Sequence, residues 1–260
     1  MILDSKVKRL YSFRRVRFAR TVDSSFRYLR LWLQFRRDFA TFRHLSETDH
    51  RFRLSWSERQ PRLYEKTTTT TFDHHYVLHT AWAARVIAKN NPKHHVDISS
   101  SLYFSALVSA FVPISFYDYR PADLRLSGLS CGKADLLDLP FEDSSVRSLS
   151  CMHVVEHVGL GRYGEPLNPT ADLKAMSELK RVLAPGGSLL FVVPIGKPRI
   201  VFNAHRIYSQ LQIADAFRDL RLRRFDLITD DSQEGLLENA SVEQADSQSY
   251  GCGCFWFQRG

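Results

Sequence analysis

The run Leu189 to Pro194, L-L-F-V-V-P, constrains the fold of this chain more than any other segment. A strand without polar alternation is buried on both faces, which requires helices above and below it and marks a mainly parallel sheet. Its surroundings repeat that logic. A strand-like H-V-D-I (95–98) leads to a Ser-capped helix, Leu102 to Phe111, and then to a strand, Ile114 to Tyr117. A further strand, Ser148 to Met152, precedes a helix, Leu173 to Leu183, which Pro185-Gly186-Gly187 stops before the apolar run begins. Cys254 to Phe257 can return as an antiparallel strand. The prediction is an α/β fold: a doubly wound, mainly parallel sheet over residues 61–260, preceded by a basic helical arm over residues 1–60. A chain of 260 residues is long enough for one such domain with an appendage.

The charge sits in the arm. Residues 1–53 hold 14 Lys and Arg against 5 Asp and Glu, a balance of +9, so residues 54–260 sum to −1 of the chain's +8. Phe26, Leu29 and Leu33 recur at helical spacing, continued by Phe35, Phe39 and Phe42, with arginines between. Such a helix packs on the body or a partner, lies on an anionic membrane, or binds nucleic acid, and the last is the least favoured because charge alone does not choose a partner. No apolar run approaches the ~20 residues needed to span a bilayer, and the start M-I-L-D-S-K lacks the apolar core of a signal peptide. Four cysteines without a C-x-x-C pair fit reduced thiols in a cytoplasm. Cys252 and Cys254, one residue apart on a strand, have no second pair to complete a zinc site, so no metal is expected.

Chemistry-bearing side chains gather where strands end. His153, Glu156 and His157 follow the strand 148–152 directly, and a glycine-punctuated loop with Arg162 and Tyr163 comes next. In open α/β sheets ligands bind outside the carboxyl ends of the strands. Asn203, His205 and Arg206 follow the apolar strand and open on the same edge, where the three histidines suit proton removal and Arg162, Arg206 and Lys197 suit an anion. H-x-x-E-H at 153–157 echoes a zinc-protease signature, but that motif needs a helix and His153 ends a strand. Asp73 can cap the helix Val77 to Lys89. His74, His75 and Tyr76 then lie either at the surface or over the sheet edge. Asp97 ends one strand and Asp118 the next, the spacing of nucleotide-binding sheets. A dinucleotide site asks for G-x-G-x-x-G, whereas Ser99, Ser100 and Ser101 stand here. Serines cap helices but lack the freedom of glycine at positive φ.

The succession V-D-I-S-S-S, Y-D-Y-R-P, A-D-L-L-D-L-P-F-E-D-S-S, H-V-V-E-H-V and E-L-K-R-V-L-A-P-G-G-S-L-L-F-V-V-P resembles the class I S-adenosylmethionine-dependent methyltransferases. Residues 50–230 and the tail G-C-G-C-F-W-F look like a family of unknown function first named from Caenorhabditis and also found in bacteria. Its hallmarks H-V-V-E-H-V-G-L-G-R-Y-G and F-N-A-H-R-I-Y stand at 153–164 and 202–208. The resemblance implies a Rossmann-like fold and S-adenosylmethionine as cofactor. Asp97, Ser99, Ser100, Ser101 and Asp118 would lie around it, with Asp135 and Leu136 along the adenine. His153, His157 and His205 would be catalytic, and Glu156, Arg162, Tyr163, Asn203 and Arg206 would hold a small or glycan-like acceptor. Those methyltransferases usually show acid-x-Gly-x-Gly where Asp97-Ile98-Ser99-Ser100-Ser101 stands, so binding rests on backbone amides at the helix start, or is altered or lost. The alternative function is a non-catalytic binding protein for a sugar nucleotide or a protein partner. Relatives of this kind in bacteria imply a cytoplasmic role in surface-polysaccharide synthesis at the inner membrane face.

The arm generates its own prediction. If it attaches to membranes, full-length protein floats with anionic vesicles and a chain lacking residues 1–50 does not. Equal flotation, with a large loss of stability in the truncated chain, would make the arm structural.

Overall fold

A computed structural model describes residues 4–49, 51–231 and 233–260, the stretch 4–24 as backbone only. Residues 1–3 and 50 of the expected arm lie outside the described residues. Two compact units divide the chain, residues 1–71 and residues 72–260.

The first unit is built on one helix, α1 (Asp4–Leu45). Phe39 meets Trp56 edge-on at 4.8 Å, and Trp32 and Phe35 lie within 6.1 Å of the same indole. Ser55 caps the short turn carrying Trp56, and Lys66 reaches Asp38 at 2.7 Å. Of the expected apolar stripe, Phe35 and Phe39 thus join an aromatic cluster within the unit, whereas Phe26, Leu29, Leu33 and Phe42 are exposed. Among the described residues no helix is long and apolar enough to cross a membrane.

The second unit is a sheet covered on both faces. In chain order its elements are α2 (His74–Asn90), β1 (His95–Ile98), α3 (Leu102–Val108), β2 (Ile114–Asp118), β3 (Leu129–Lys133), β4 (Val146–Met152) and α4 (Ala171–Val182). There follow β5 (Leu183–Ile195), β6 (Arg199–Val201), β7 (His205–Ile207), α5 (Gln210–Ala216), β8 (Arg221–Ile228), β9 (Leu236–Leu237), α6 (Val242–Asp246) and β10 (Gly251–Gln258). The sheet order among the described residues is β3-β2-β1-β4-β5-β10-β8-β9, with β6 and β7 as a separate hairpin. The first five are mutually parallel; β10 runs antiparallel between β5 and β8. The doubly wound, mainly parallel α/β architecture is the one the apolar strand demands. Leu189, Phe191 and Val193 enter one core with Met176, Leu179, Phe217 and Phe255. Leu190 and Val192 enter the other with Trp82, Val86, Phe104 and Phe116. Each such fully buried side chain contributes ~1.5–3 kcal/mol of transfer free energy.

Local details differ from expectation. Helix α3 ends at Val108, and α4 ends at Val182, with β5 starting at the next residue, so Pro185-Gly186-Gly187 lies within the strand rather than terminating the helix. A side chain on Gly187 would meet the Ala184 carbonyl oxygen at 2.7 Å, which accounts for glycine there. Strand β3, L-S-C-G-K, escaped the sequence reading because it is a short edge strand with few apolar residues.

Candidate functional site

Two strands leave the sheet through backbone conformations unusual for their residues. Ser99, just past β1, has φ 55°, and His153, just past β4, has φ 57°. Both values lie in the left-handed region that favours glycine. The amide of Ser99 donates to the Tyr117 carbonyl at 2.7 Å and its hydroxyl to the same oxygen at 3.1 Å, so β2 holds the turn in place. The expectation that serine would not supply this geometry is therefore corrected at Ser99.

A crevice of about 280 Å³ opens outside the ends of β1, β2 and β4. Ser99, Asp118, Asp135, Leu136, His153 and His157 all line it. Asp118 accepts the Arg120 amide on Oδ1 at 2.7 Å. Asp135 accepts the Leu137 amide at 2.9 Å, closing a turn that carries the buried Leu136 into the wall. The crevice thus combines an acid at the end of β2 with an apolar slot.

Asp97, Ser100 and Ser101 do not line it. Asp97 is fully buried, and its carboxylate accepts the hydroxyls of Ser105, at 3.0 Å, and Ser150. Ser150 is in turn bonded to His95 Nε2 at 2.8 Å, and His95 Nδ1 to Ser148 at 2.7 Å. Burial pushes Asp97 up to about 6, and burial takes His95 down to about 3, so the imidazole is neutral. Ser100 accepts the Met152 amide at 3.0 Å, tying the loop to β4, and Ser101 precedes α3 without a side-chain cap bond. The three residues shape the loop from beneath.

A second cavity of about 620 Å³ adjoins the first and shares His153 and His157 with it. Its other walls include His75 and Tyr76 from α2, Glu156, Arg162, Asn203, His205 and Tyr250. Asp73 does cap α2, accepting the Tyr76 amide at 3.0 Å; His74 and His75, both half-buried, line this cavity together with Tyr76, which stays exposed to solvent. The His153 amide donates to Val192 at 2.8 Å, its Nδ1 to Glu156 Oε1 at 2.9 Å, and Cys252 Sγ lies 3.3 Å from its Nε2. Both ring nitrogens are thus engaged, and burial lowers the ring to about 4. Glu156 is fully buried, which pushes its carboxyl up to about 7. His157 donates from Nδ1 to the Ala204 carbonyl at 2.6 Å, which fixes its tautomer and leaves Nε2 as the acceptor, 3.7 Å from Glu156. Burial lowers its pKa against the pull of Glu156. His205 is less buried, also lowered by desolvation, and its ring lies 4.9 Å from that of Tyr250.

Two expected acceptor residues have other surroundings. Arg206 is buried and lines neither cavity. It donates to the carbonyls of Val158 at 2.7 Å and Pro169 at 3.2 Å, and its Nε lies 3.6 Å from Asp172, so it clamps the loop 156–169. Tyr163 lines the first crevice instead of the second cavity, with the guanidinium groups of Arg120 and Arg162 at 4.8 and 5.2 Å from its ring. Arg162 and Asn203 do line the second cavity, and Asn203, at φ 62°, turns the β6–β7 hairpin. Lys197 lines neither cavity. Tyr250 was missed as a site residue and Cys252 was weighed only with Cys254 and set aside: they lie some ninety residues beyond the histidine motif and reach it because β10 inserts beside β5.

Residues 83–191 match a family described as a methyltransferase domain, and residues 144–244 match one described as Caenorhabditis protein of unknown function, DUF268. Among solved structures, the N-methyltransferase NodS of Bradyrhizobium japonicum, in complex with S-adenosyl-L-homocysteine, is 13% identical. The match covers 69% of this chain and 85% of that one at a TM-score of 0.49. The YcgJ protein of Bacillus subtilis is 15% identical over 69% of this chain and 98% of its own, with a TM-score of 0.47. A 1,6-didemethyltoxoflavin-N1-methyltransferase of Burkholderia thailandensis is 10% identical over 70% and 78%, at 0.48. No curated protein sequence matches the chain.

The buried Asp97 network yields a stability prediction. A carboxyl at about 6 in the folded state but at 3.8 as its ordinary value favours folding most in the protonated form. That contribution is present below pH 4 and is lost as pH rises through 6. Urea unfolding of Asp97→Asn and the parent should therefore show a stability gap that moves in favour of the variant by on the order of 3 kcal/mol between pH 4 and pH 7. A gap that stays constant with pH would contradict it.

Proposed function

We propose that this chain, which matches a methyltransferase-domain model over residues 83–191, is a class I S-adenosylmethionine-dependent methyltransferase that transfers a methyl group from that cofactor to a small, glycan-like acceptor. The observation that carries this reading is the pair of adjoining cavities with His153 and His157 as their common wall. A donor and an acceptor held on either side of one wall can meet there, and alignment supplies most of the acceleration for an already activated donor.

The crevice residues fit the cofactor by chemistry. Asp118 spends one carboxylate oxygen on the Arg120 amide, which leaves the other to accept ribose hydroxyls. Leu136, Leu137 and Val158 offer apolar faces to an adenine, with Asp135 at the edge. Ser99, kept in the left-handed region, lets the backbone pass close to a ligand as glycine would. When bound, S-adenosylmethionine supplies a methyl group activated by its sulfonium.

The remaining chemistry belongs to side chains of the second cavity. His157, neutral at pH 7 and fixed by Ala204, presents Nε2 as the base for an acceptor hydroxyl or amine. Arg162 and Asn203 suit a polar or anionic acceptor, and His205 and Tyr250 form an aromatic wall of the kind on which a sugar ring packs. His153 is a less suitable base because both its nitrogens are occupied. The chemistry of this wall supports a glycan acceptor; a cytoplasmic role in surface-polysaccharide synthesis is part of the same proposal. The exposed Phe26, Leu29 and Leu33 among the arm's arginines support peripheral contact with an anionic membrane.

Isothermal titration with S-adenosylhomocysteine tests the reading. The parent should bind, Asp118→Ala should weaken binding by about tenfold or more, and His157→Gln should keep the affinity while losing about 10²–10⁴-fold in turnover. No binding at millimolar ligand would reject the cofactor. Unimpaired turnover in His157→Gln would reject the base.

A further inference from the structure

The proposed methyl transfer leaves unused a set of groups beside the second cavity, two buried and one half-buried. His75, His153 and Cys252 bring one ligand atom each to within 4.8 Å of one another, and His153 Nε2 and Cys252 Sγ are already 3.3 Å apart. Three separate elements deliver them: α2, the exit of β4 and the start of β10. From these observations we infer that His75, His153 and Cys252 form a binding site for one borderline-soft divalent transition metal ion, of which zinc is the type.

The ligand types are those of a zinc site with three protein ligands and an exchangeable position. Zinc–sulfur and zinc–nitrogen bonds of about 2.3 and 2.0 Å set tetrahedral ligand–ligand separations near ~3.5 Å. The His153–Cys252 pair meets that spacing, and the longest separation needs to close by about 1 Å.

The surroundings supply what such a site requires beyond its ligands. Glu156 accepts the Nδ1–H of His153, which fixes the tautomer whose Nε2 lone pair is turned toward Cys252 Sγ, the carboxylate–histidine arrangement found behind metal-bound imidazoles. Glu156 Oε2 is buried without a hydrogen-bond partner. His79, fully buried with its ring edge-on to His153 at 5.0 Å, also has an unpartnered Nε2; its Nδ1 donates to the His75 carbonyl at 2.7 Å and so ties it to a ligand residue. A dication offsets the charges of a Cys252 thiolate and the Glu156 carboxylate. Binding releases the thiol proton of Cys252 to solvent. Metal binding does not depend on the methyl-transfer reading. If that reading holds as well, a bound acceptor hydroxyl would be acidified beside His157.

The test is cobalt titration of the full-length protein after chelator treatment. One equivalent of Co²⁺ should give the visible ligand-field bands of a tetrahedral site and a thiolate-to-cobalt charge-transfer band in the near ultraviolet, and Zn²⁺ should erase both. Cys252→Ser should remove the charge-transfer band, and Cys254→Ser should keep it. His75→Gln, on the cavity wall, should weaken binding even if the Cys252 variant fails to fold. Glu156→Gln should lower the affinity by about 10–100-fold. Absence of a sulfur band in the parent, or a band that survives both Cys252→Ser and His75→Gln, overturns the assignment whatever S-adenosylhomocysteine does in the calorimeter.

Discussion

The candidate site hangs on how the chain leaves β4. His153 turns into the left-handed region directly after Met152, a conformation that costs on the order of 1–3 kcal/mol for a residue with a side chain. It persists because its surroundings over-determine it: the amide bonds to β5, one ring nitrogen to Glu156, the other to Cys252 on β10. That single turn aims His153 between the two cavities and starts the short helical turn that carries Glu156 and His157. Without it the strand would run straight on, and the crevice and the cavity would share no wall.

Buried polar groups do most of the positioning. Arg206 gives its donors to the carbonyls of the loop after His157, and Tyr208 donates to Asp172 at 3.0 Å beside it. Asp97 performs the corresponding task beneath the Ser99 loop through Ser105 and Ser150. These groups are costly to bury unless satisfied, so their hydrogen bonds hold the loops on which the cavity-lining side chains sit. Rigid loops at the carboxyl edge of a parallel sheet hold ligand-facing groups at fixed spacing, which methyl transfer between two bound molecules requires.

The same contrast explains what the sequence made legible. Apolar patterning reports burial directly, so L-L-F-V-V-P announced a two-sided sheet, and the strand-end positions of Asp118, His153 and His157 located the edge where cavities open, whereas Asp135 entered only through the family resemblance because β3 was not read. Patterning does not report which way a polar side chain turns. Asp97 and Arg206 carry the same signature as ligand-binding residues, yet the folded chain spends their hydrogen bonds internally. Ser99 looked like the loss of a glycine, but a bonded carbonyl on the neighbouring strand sustains the conformation glycine would have taken. The nearness of Tyr250 and Cys252 to the histidines was not legible, because the antiparallel insertion of β10 beside β5 is what carries the C-terminal segment to His153.

The most direct measurement is a crystal structure of the full chain grown with S-adenosylhomocysteine. The account predicts the ribose hydroxyls on Asp118, the adenine against Leu136, and the sulfur end directed to the wall formed by His153 and His157, with the second cavity left free for an acceptor. Ligand density in the second cavity with an empty crevice, or density in neither, would contradict it.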